Sequence, residues 1–280
     1  MKTFKYIIPS LILVSMLFYS CDIIEAPYEE NFTPVEIDST KKKVLIEDIT
    51  GFRCGNCPKA AAVAHEIAQL YPDNVIVIAV HAGALAKPSP TRKYNFLTFV
   101  GQDIEKKFNL PATPYGLINR KAVDGQFLLA PESWATAATA QIQLDAVYKL
   151  ELAAEFESSS KTINLEANVK ALAMGANNHF ISAYIIEDSV IQYQQDDRLY
   201  PNIHVEDYNH MHVLRGGMNG SWGTELSDEP LLINQSIKKN LSFVIPEEKD
   251  WVPKNLSLVV MIRDNDTEEI LQVEKVKLIK

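Results

Sequence analysis

Cys54-Gly55-Asn56-Cys57 places two thiols three residues apart. The pair follows an apolar run, Val44 to Ile49, and precedes an alanine-rich segment with helical spacing, Lys59 to Tyr71. Two thiols set where a strand passes into a helix can close and open a disulfide. The thiolate is the attacking form of cysteine. The unpaired N–H groups and dipole of a helix N-terminus favour it, lowering a cysteine pKa from about 8.5 into the range ~3.5–7.5. Cys54 occupies that place and is expected to attack. Cys57, one turn in and more buried, is expected to resolve a mixed disulfide. Pro58 lacks an N–H but falls in the first helical turn, where none is required.

The third and last cysteine, Cys21, has a different context. Lys2 and Lys5 give a basic start, and Ile7 to Tyr19 is apolar apart from Pro9, Ser10 and Ser15. That is the shape of a secretory signal and is short for a membrane span. Its end, Leu17-Phe18-Tyr19-Ser20-Cys21, resembles a bacterial lipobox, although Phe18 and Tyr19 are bulkier than its tightest form. The expectation is a signal peptide over residues 1–20 and a lipid on Cys21; a cut elsewhere or an uncleaved anchor are the other readings. Export places the Cys54/Cys57 pair in an oxidising compartment. No second apolar stretch reaches about 18 residues, so the mature chain is not expected to span a membrane.

The 280 residues are 47% hydrophobic and 22% charged, the balance of a globular protein, and the net charge of −9 argues against a nucleic-acid partner. Residues 21–40 carry six carboxylates, Pro27 and Pro34 and no basic residue, and read as an acidic tether. From Val44 the pattern is strand, helix, strand. Ala60, Val63, Ala64, Ile67, Ala68 and Tyr71 recur at helical spacing before Pro72, and Val75 to Val80 is a β-branched run suited to a strand buried on both faces. Such a unit implies a parallel crossover. Arg92 to Phe108 is helical in character, with Gly101 as a break. Tyr115 to Asn119 and Gln126 to Leu129 flank the turn signal Asp124-Gly125, and Pro131 to Leu150 reads as helix with Trp134, Ala138, Ile142 and Tyr148 inward. After Leu150 the pattern changes to strands: Leu152–Phe156, Ile163–Val169, Phe180–Ile186, Leu231–Val244, Leu256–Ile262 and Ile270–Leu278. They predict an antiparallel β-sandwich-like domain over 151–280.

Two motifs between Lys42 and Leu150 resemble the thioredoxin superfamily. One is Glu47-Asp48-Ile49-Thr50-Gly51-Phe52-Arg53-Cys54-Gly55-Asn56-Cys57; the other is Phe108-Asn109-Leu110-Pro111-Ala112-Thr113-Pro114-Tyr115. The resemblance implies an α/β thioredoxin-like domain over 41–150. It implies a cis-proline at Pro114 beside the disulfide, and backbone hydrogen bonds from Thr113 to a substrate peptide. It also implies a buried carboxylate that accepts a proton near Cys57: Asp48, with Glu47 the competitor if the strand register shifts by one. Arg53 stands where the family often has tryptophan, and the stretch from Cys57 to Pro114 is longer than in a minimal member, leaving room for an inserted helix. His81 ends the second strand as a structural or tuning histidine, and His65 is expected on the surface.

In the C-terminal half, Asp207-Tyr208-Asn209-His210-Met211-His212 is the densest polar cluster. His210 and His212 alternate as on one strand face, which suits a metal only if His204 or Asp207 folds back as a third ligand; a structural loop or a binding face is the favoured reading, with no metal and no cofactor. Trp222 between glycines is read as a core aromatic rather than a ligand contact. The whole layout resembles the outer-membrane-protein-28-related lipoproteins of Gram-negative bacteria. It implies an outer-membrane lipoprotein facing the periplasm or the cell surface. Two functions follow. One is a membrane-anchored thiol–disulfide oxidoreductase acting on protein or peptide thiols and disulfides, its β domain selecting partners or supporting a homodimer. The other is a surface binding or adhesion module in which the disulfide is only structural.

Overall fold

The computed structural model describes residues 40–279. The expected signal, tether and Cys21 therefore lie outside the described residues, except Thr40 at the end of the tether. Among the described residues, three strands and three α-helices precede residue 148: β1 (Val44–Thr50), α1 (Cys57–Leu70), β2 (Val75–His81), α2 (Phe99–Lys107), β3 (Tyr115–Ile118) and α3 (Trp134–Ile142). Ten strands follow: β4 (Tyr148–Glu157), β5 (Thr162–Ala171), β6 (His179–Glu187), β7 (Val190–Gln195), β8 (His204–His210), β9 (Val213–Gly217), β10 (Thr224–Glu225), β11 (Ser236–Val244), β12 (Leu256–Asp264) and β13 (Ile270–Lys277).

One mixed sheet has the order β13-β12-β6-β9-β2-β1-β3, with β10 also on β6. β1 and β2 are parallel across α1, as the strand–helix–strand pattern implies, and β3 is antiparallel to β1. Leu150, where the sequence pattern changes, lies inside β4, and the sheet itself runs on through a parallel bridge between Ala79 and Val213. A separate three-stranded sheet, β11-β5-β4, faces β6 and β12 through Leu165, Ala167, Val169, Ala183, Leu258 and Val260. The fold is mostly β, with mixed and antiparallel sheets.

Every residue of β1 is buried, because both its faces are covered. Val44 and Ile46 meet Ala60, Ala64, Trp134 and Ala138 of α1 and α3; Leu45 and Ile49 meet Val100 and Ile104 of α2 on the other side. Period two along β1 thus sends Glu47 to the α2 side and Asp48 to the α1 side. Glu47 is taken there by Arg120, whose Nε and Nη2 donate at 2.7 and 2.6 Å, with both side chains 1% exposed. Glu47 and Asp48 thus lie on opposite faces of β1, and of the two it is Asp48 that lies on the face of α1.

Four expected elements differ. The helix expected over Pro131–Leu150 is confined to Trp134–Ile142, and Tyr148 to Leu150 belong to β4, where buried Tyr148 and Leu150 alternate with exposed Lys149 and Glu151 at the period of a strand. The helix expected over Arg92–Phe108 is confined to Phe99–Lys107, because Thr98 caps it by accepting from the Gly101 N–H at 3.0 Å. Gly101 sits inside this helix rather than breaking it: a Cβ there would lie 3.2 Å from the His81 carbonyl, so glycine lets α2 approach β2. The return of the Asp124-Gly125 turn consists of isolated bridges, Val123–Gln126 and Gly116–Leu129, and the strand expected from Leu231 begins at Ser236. Gly116 is a second close approach. A Cβ on it would lie 2.4 Å from the ring of Trp134, which is fully buried. Gly116→Ala is expected to lower unfolding free energy by about 1–3 kcal/mol through overpacking, measurable by urea denaturation.

Candidate functional site

Cys54 and Cys57 form a disulfide at the start of α1. The loop that carries them is tightly turned: the Cys54 N–H donates to Gly51 O at 2.9 Å, and the Cys57 N–H to Cys54 O at 3.2 Å. Arg53 turns away, its Nη2 donating to the Ala84 carbonyl at 2.6 Å. The Thr113–Pro114 peptide bond is cis, at the position the resemblance implied. Because Tyr115 pairs with Ile49, this bond lies where β1 hands over to the cysteine loop. Thr113 Oγ1 is buried without a hydrogen-bond partner.

Both cysteines are nearly inaccessible, Cys54 at 2% and Cys57 at 1%. Their cover comes from the β7–β8 hairpin of the C-terminal half. Gln194 Nε2 donates to Cys54 O at 3.0 Å and Gly51 O at 3.4 Å. The Gln195 N–H donates to Phe52 O at 2.9 Å and the Asp197 N–H to Gly55 O at 3.0 Å. The loop and the hairpin approach closely at Gly55, where a Cβ would displace the Asp197 carboxylate. A small cluster of Phe52, Phe96, Val190 and Val213, flanked by Tyr94 and Tyr193, holds the hairpin on the loop.

Beside this contact is a cavity of about 290 Å³ between α1 and the hairpin, floored by β1 and β2. Cys57 lines it, together with Asp48, His81, Arg198, Tyr208 and His210. Asp48 is 2% exposed and its Oδ1 has no hydrogen-bond partner; burial pushes its carboxyl pKa up to about 7. His81 stacks on Phe96 at 4.1 Å, and neither of its ring nitrogens has a partner. Burial holds His81 well below the usual histidine range, with His210 and Arg215 adding to the shift, so its imidazole is neutral. Burial likewise lowers His210 to about 4, against hydrogen bonds from its ring to the Tyr193 and Gln192 backbone. His65 is exposed and lies at the edge of the same cavity.

The histidine segment is arranged differently from a single strand face. β8 ends at His210, the chain turns at Met211, and His212 adopts φ +57°, so the two residues do not share a strand face although both line the cavity. His210 Nε2 lies 3.3 Å from the Tyr193 carbonyl, His212 Nδ1 2.8 Å from Asp188, and His204 Nδ1 2.8 Å from the Tyr193 hydroxyl, while Asp207 is exposed. Among the described residues no three such groups converge as metal ligands. Trp222 is half-buried against the α2-side core, with the Arg120 and Arg263 guanidinium groups 5.3 and 5.6 Å from its ring centroid. The residues missed from sequence are those of the hairpin. Gln194 and Asp197 lie in polar, largely exposed segments with no apolar alternation to mark them as strands or as partners of the cysteine loop.

Residues 102–280 match the family described as outer membrane protein Omp28, well over half of the chain. Among solved structures, the chain is similar to HBP35 of Porphyromonas gingivalis at 15% identity and TM-score 0.65, over 87% of this chain and 77% of that one. At that identity the likeness speaks for the fold alone. A domain of the outer membrane lipoprotein Omp28 from the same organism matches at 23% identity and TM-score 0.31, over 48% of this chain and 89% of that one. No curated protein matches the chain.

Proposed function

Because the chain belongs to the Omp28 outer membrane protein family, we propose that it works at the outer membrane as a thiol–disulfide exchange protein, held there by a lipid on Cys21. Its N-terminal half, residues 41–150, acts as a thioredoxin-like module. Residues 151–280 supply the sandwich-like β half and the cover over the cysteine loop. With the hairpin lifted, Cys54 attacks a partner disulfide and Cys57 resolves the mixed disulfide. Asp48 takes the proton from Cys57, and Thr113 and Pro114 hold the partner's backbone.

The observation that carries this reading is Asp48. A buried carboxyl with an unpartnered oxygen is unfavourable by several kcal/mol when ionised, and here it lines the same cavity as Cys57. A disulfide serving only as a brace has no need of it, and closing a loop of this length adds little stability. A carboxyl with a pKa near neutrality is suited to shuttling a thiol proton.

One observation favours the surface-binding alternative: Cys54 is sealed beneath the hairpin. The two readings part on whether that seal opens. Gln194→Ala removes two hydrogen bonds from the cysteine loop, about 1.5 kcal/mol in all, and should raise the rate at which Cys54 traps a disulfide-bearing peptide in a Cys57→Ser background roughly tenfold. A Cys54 that traps no peptide, with or without Gln194→Ala, would leave the disulfide as a brace and the binding module as the better account.

A further inference from the structure

We propose that the cavity beside α1 is a binding site for a small thiol, which opens the disulfide at Cys57 while the hairpin stays closed. This rests on the exchange reading above and adds the electron donor and its route. Of the two cysteines, Cys57 lines the cavity and Cys54 does not. On the Cys54 side the loop carbonyls of Gly51, Phe52, Cys54 and Gly55 are all taken by the hairpin. In the closed molecule the cavity thus adjoins the disulfide on the Cys57 side, although Cys57 itself is 1% exposed.

The size of that space selects the donor. A volume of about 290 Å³ equals roughly ten water molecules at ~30 Å³ each. It admits a molecule of amino-acid size, whereas a thiol on a folded partner cannot follow it in. The walls carry unused hydrogen-bonding capacity: Asp48 Oδ1 and both nitrogens of His81 are buried and unpartnered. Buried polar atoms without partners ordinarily mark a place for water or a ligand. Ala61, Ala62 and Val77 supply the apolar wall that a thiol's methylene would face.

The step balances as follows. The thiol gives its proton to the Asp48 carboxylate, and its sulfur attacks Cys57 Sγ. The bond between the two protein sulfurs breaks, and Cys54 Sγ leaves as a thiolate. A second small thiol attacks the outer sulfur of the mixed disulfide, releasing the small disulfide and Cys57 as a thiol. Two small thiols are oxidised to one disulfide, and the protein disulfide is reduced to a thiol at Cys57 and a thiolate at Cys54, with the remaining proton on Asp48. Entry on the Cys57 side leaves the Cys54 side free for the partner protein.

The test uses L-cystine on full-length Cys54→Ser and Cys57→Ser variants, with peptide mapping to locate the cysteinyl adduct. Cys57 in the first variant should be modified at least tenfold faster than Cys54 in the second; equal or reversed rates overturn the proposal. Since loss of the disulfide can loosen the fold, the oxidised wild type supplies a second measurement. L-cysteine should reduce it at least tenfold faster than a small folded protein bearing one surface thiol at the same thiol concentration, and Ala62→Leu should remove most of that advantage. Equal reduction by both thiols, or no effect of Ala62→Leu, also overturns it. If Cys54 exchanges with peptide in the Gln194→Ala background while Cys57 ignores small thiols, this site fails and the exchange reading stands. If neither cysteine exchanges with anything, both fail.

Discussion

Asp48→Asn should slow exchange at the Cys54–Cys57 pair by on the order of 10²-fold and, at the same time, make the protein more stable above pH 7. Asparagine keeps the shape and loses the ability to accept a proton, so the rate falls with the proton transfer. The stability gain follows from linkage. Burial raises the folded-state carboxyl to about 7 from an ordinary value of 3.8. The folded state therefore binds the proton more tightly than the unfolded chain does. Its favourable contribution is fully present below about pH 4 and is lost as pH rises through about 7, the loss reaching on the order of 4 kcal/mol by pH 8. His81 and His210 line the same cavity with lowered pKa values, and their contribution runs the other way, present above 6.5 and lost as pH falls. The difference between wild type and Asp48→Asn cancels those histidines to first order. Urea unfolding of both proteins at pH 5 and pH 8 should show the variant's advantage over wild type growing by about 2–3 kcal/mol between the two. A variant with the wild-type exchange rate and no pH-dependent difference would remove Asp48 from the proton path. The opposed effects are those expected where a function keeps an unfavourable buried group in place.

Arg120→Met should lower unfolding free energy by about 3–5 kcal/mol, dropping the melting temperature by roughly 10 °C in a chain of this size. The guanidinium makes two short bonds to Glu47, and its removal strands a carboxylate that is fully buried between β1 and α2. The geometry depends on the turn after β3, where Asn119 and Arg120 both adopt positive φ. The Asn119 side chain accepts from the Leu45 N–H at 2.8 Å and donates to the Lys43 carbonyl at 3.2 Å, pinning that turn to β1. The double variant Glu47→Leu/Arg120→Met should recover most of the loss, because the damage lies in the unpaired charge. It should also exchange thiols at the wild-type rate, since Glu47 lies on the sheet face away from Cys57. Thermal melts of the single and double variants, with peptide-disulfide exchange on the double, check both statements. A double variant that is stable but inactive would put Glu47 back among the proton acceptors.

Much of the N-terminal half was legible from sequence. Cys54-x-x-Cys57 at a strand–helix junction, the apolar period of α1 and the β-branched run of β2 are local signals, and each corresponds to an element at about the expected bounds. The positions of β4, β5, β6, β12 and β13 were legible for the same reason, as alternating or continuous apolar stretches. The helix expected from Arg92 was too long because a cap at Thr98 outranks composition. β7 and β8 escaped because they carry glutamines, acids and histidines with little alternation. The apolar contacts that hold them, at Val190 and Tyr193, are mostly to Phe52, Tyr94 and Phe96, far back in the N-terminal half.

The sequence by itself determined that there is a pair of cysteines at the head of a helix, with acids at Glu47 and Asp48 in the strand before it, and a β-rich second half. Those are matters of residue type and short-range period. Only the tertiary structure showed what meets Glu47 and what meets Asp48, because a one-residue step along a strand sends a side chain to the opposite face, and what waits on each face comes from elsewhere in the chain. Likewise only the tertiary structure laid Gln194 to Asp197 across the cysteine loop and left Cys57, not Cys54, facing a cavity. Hydrogen bonds between segments some 140 residues apart leave no period in either one.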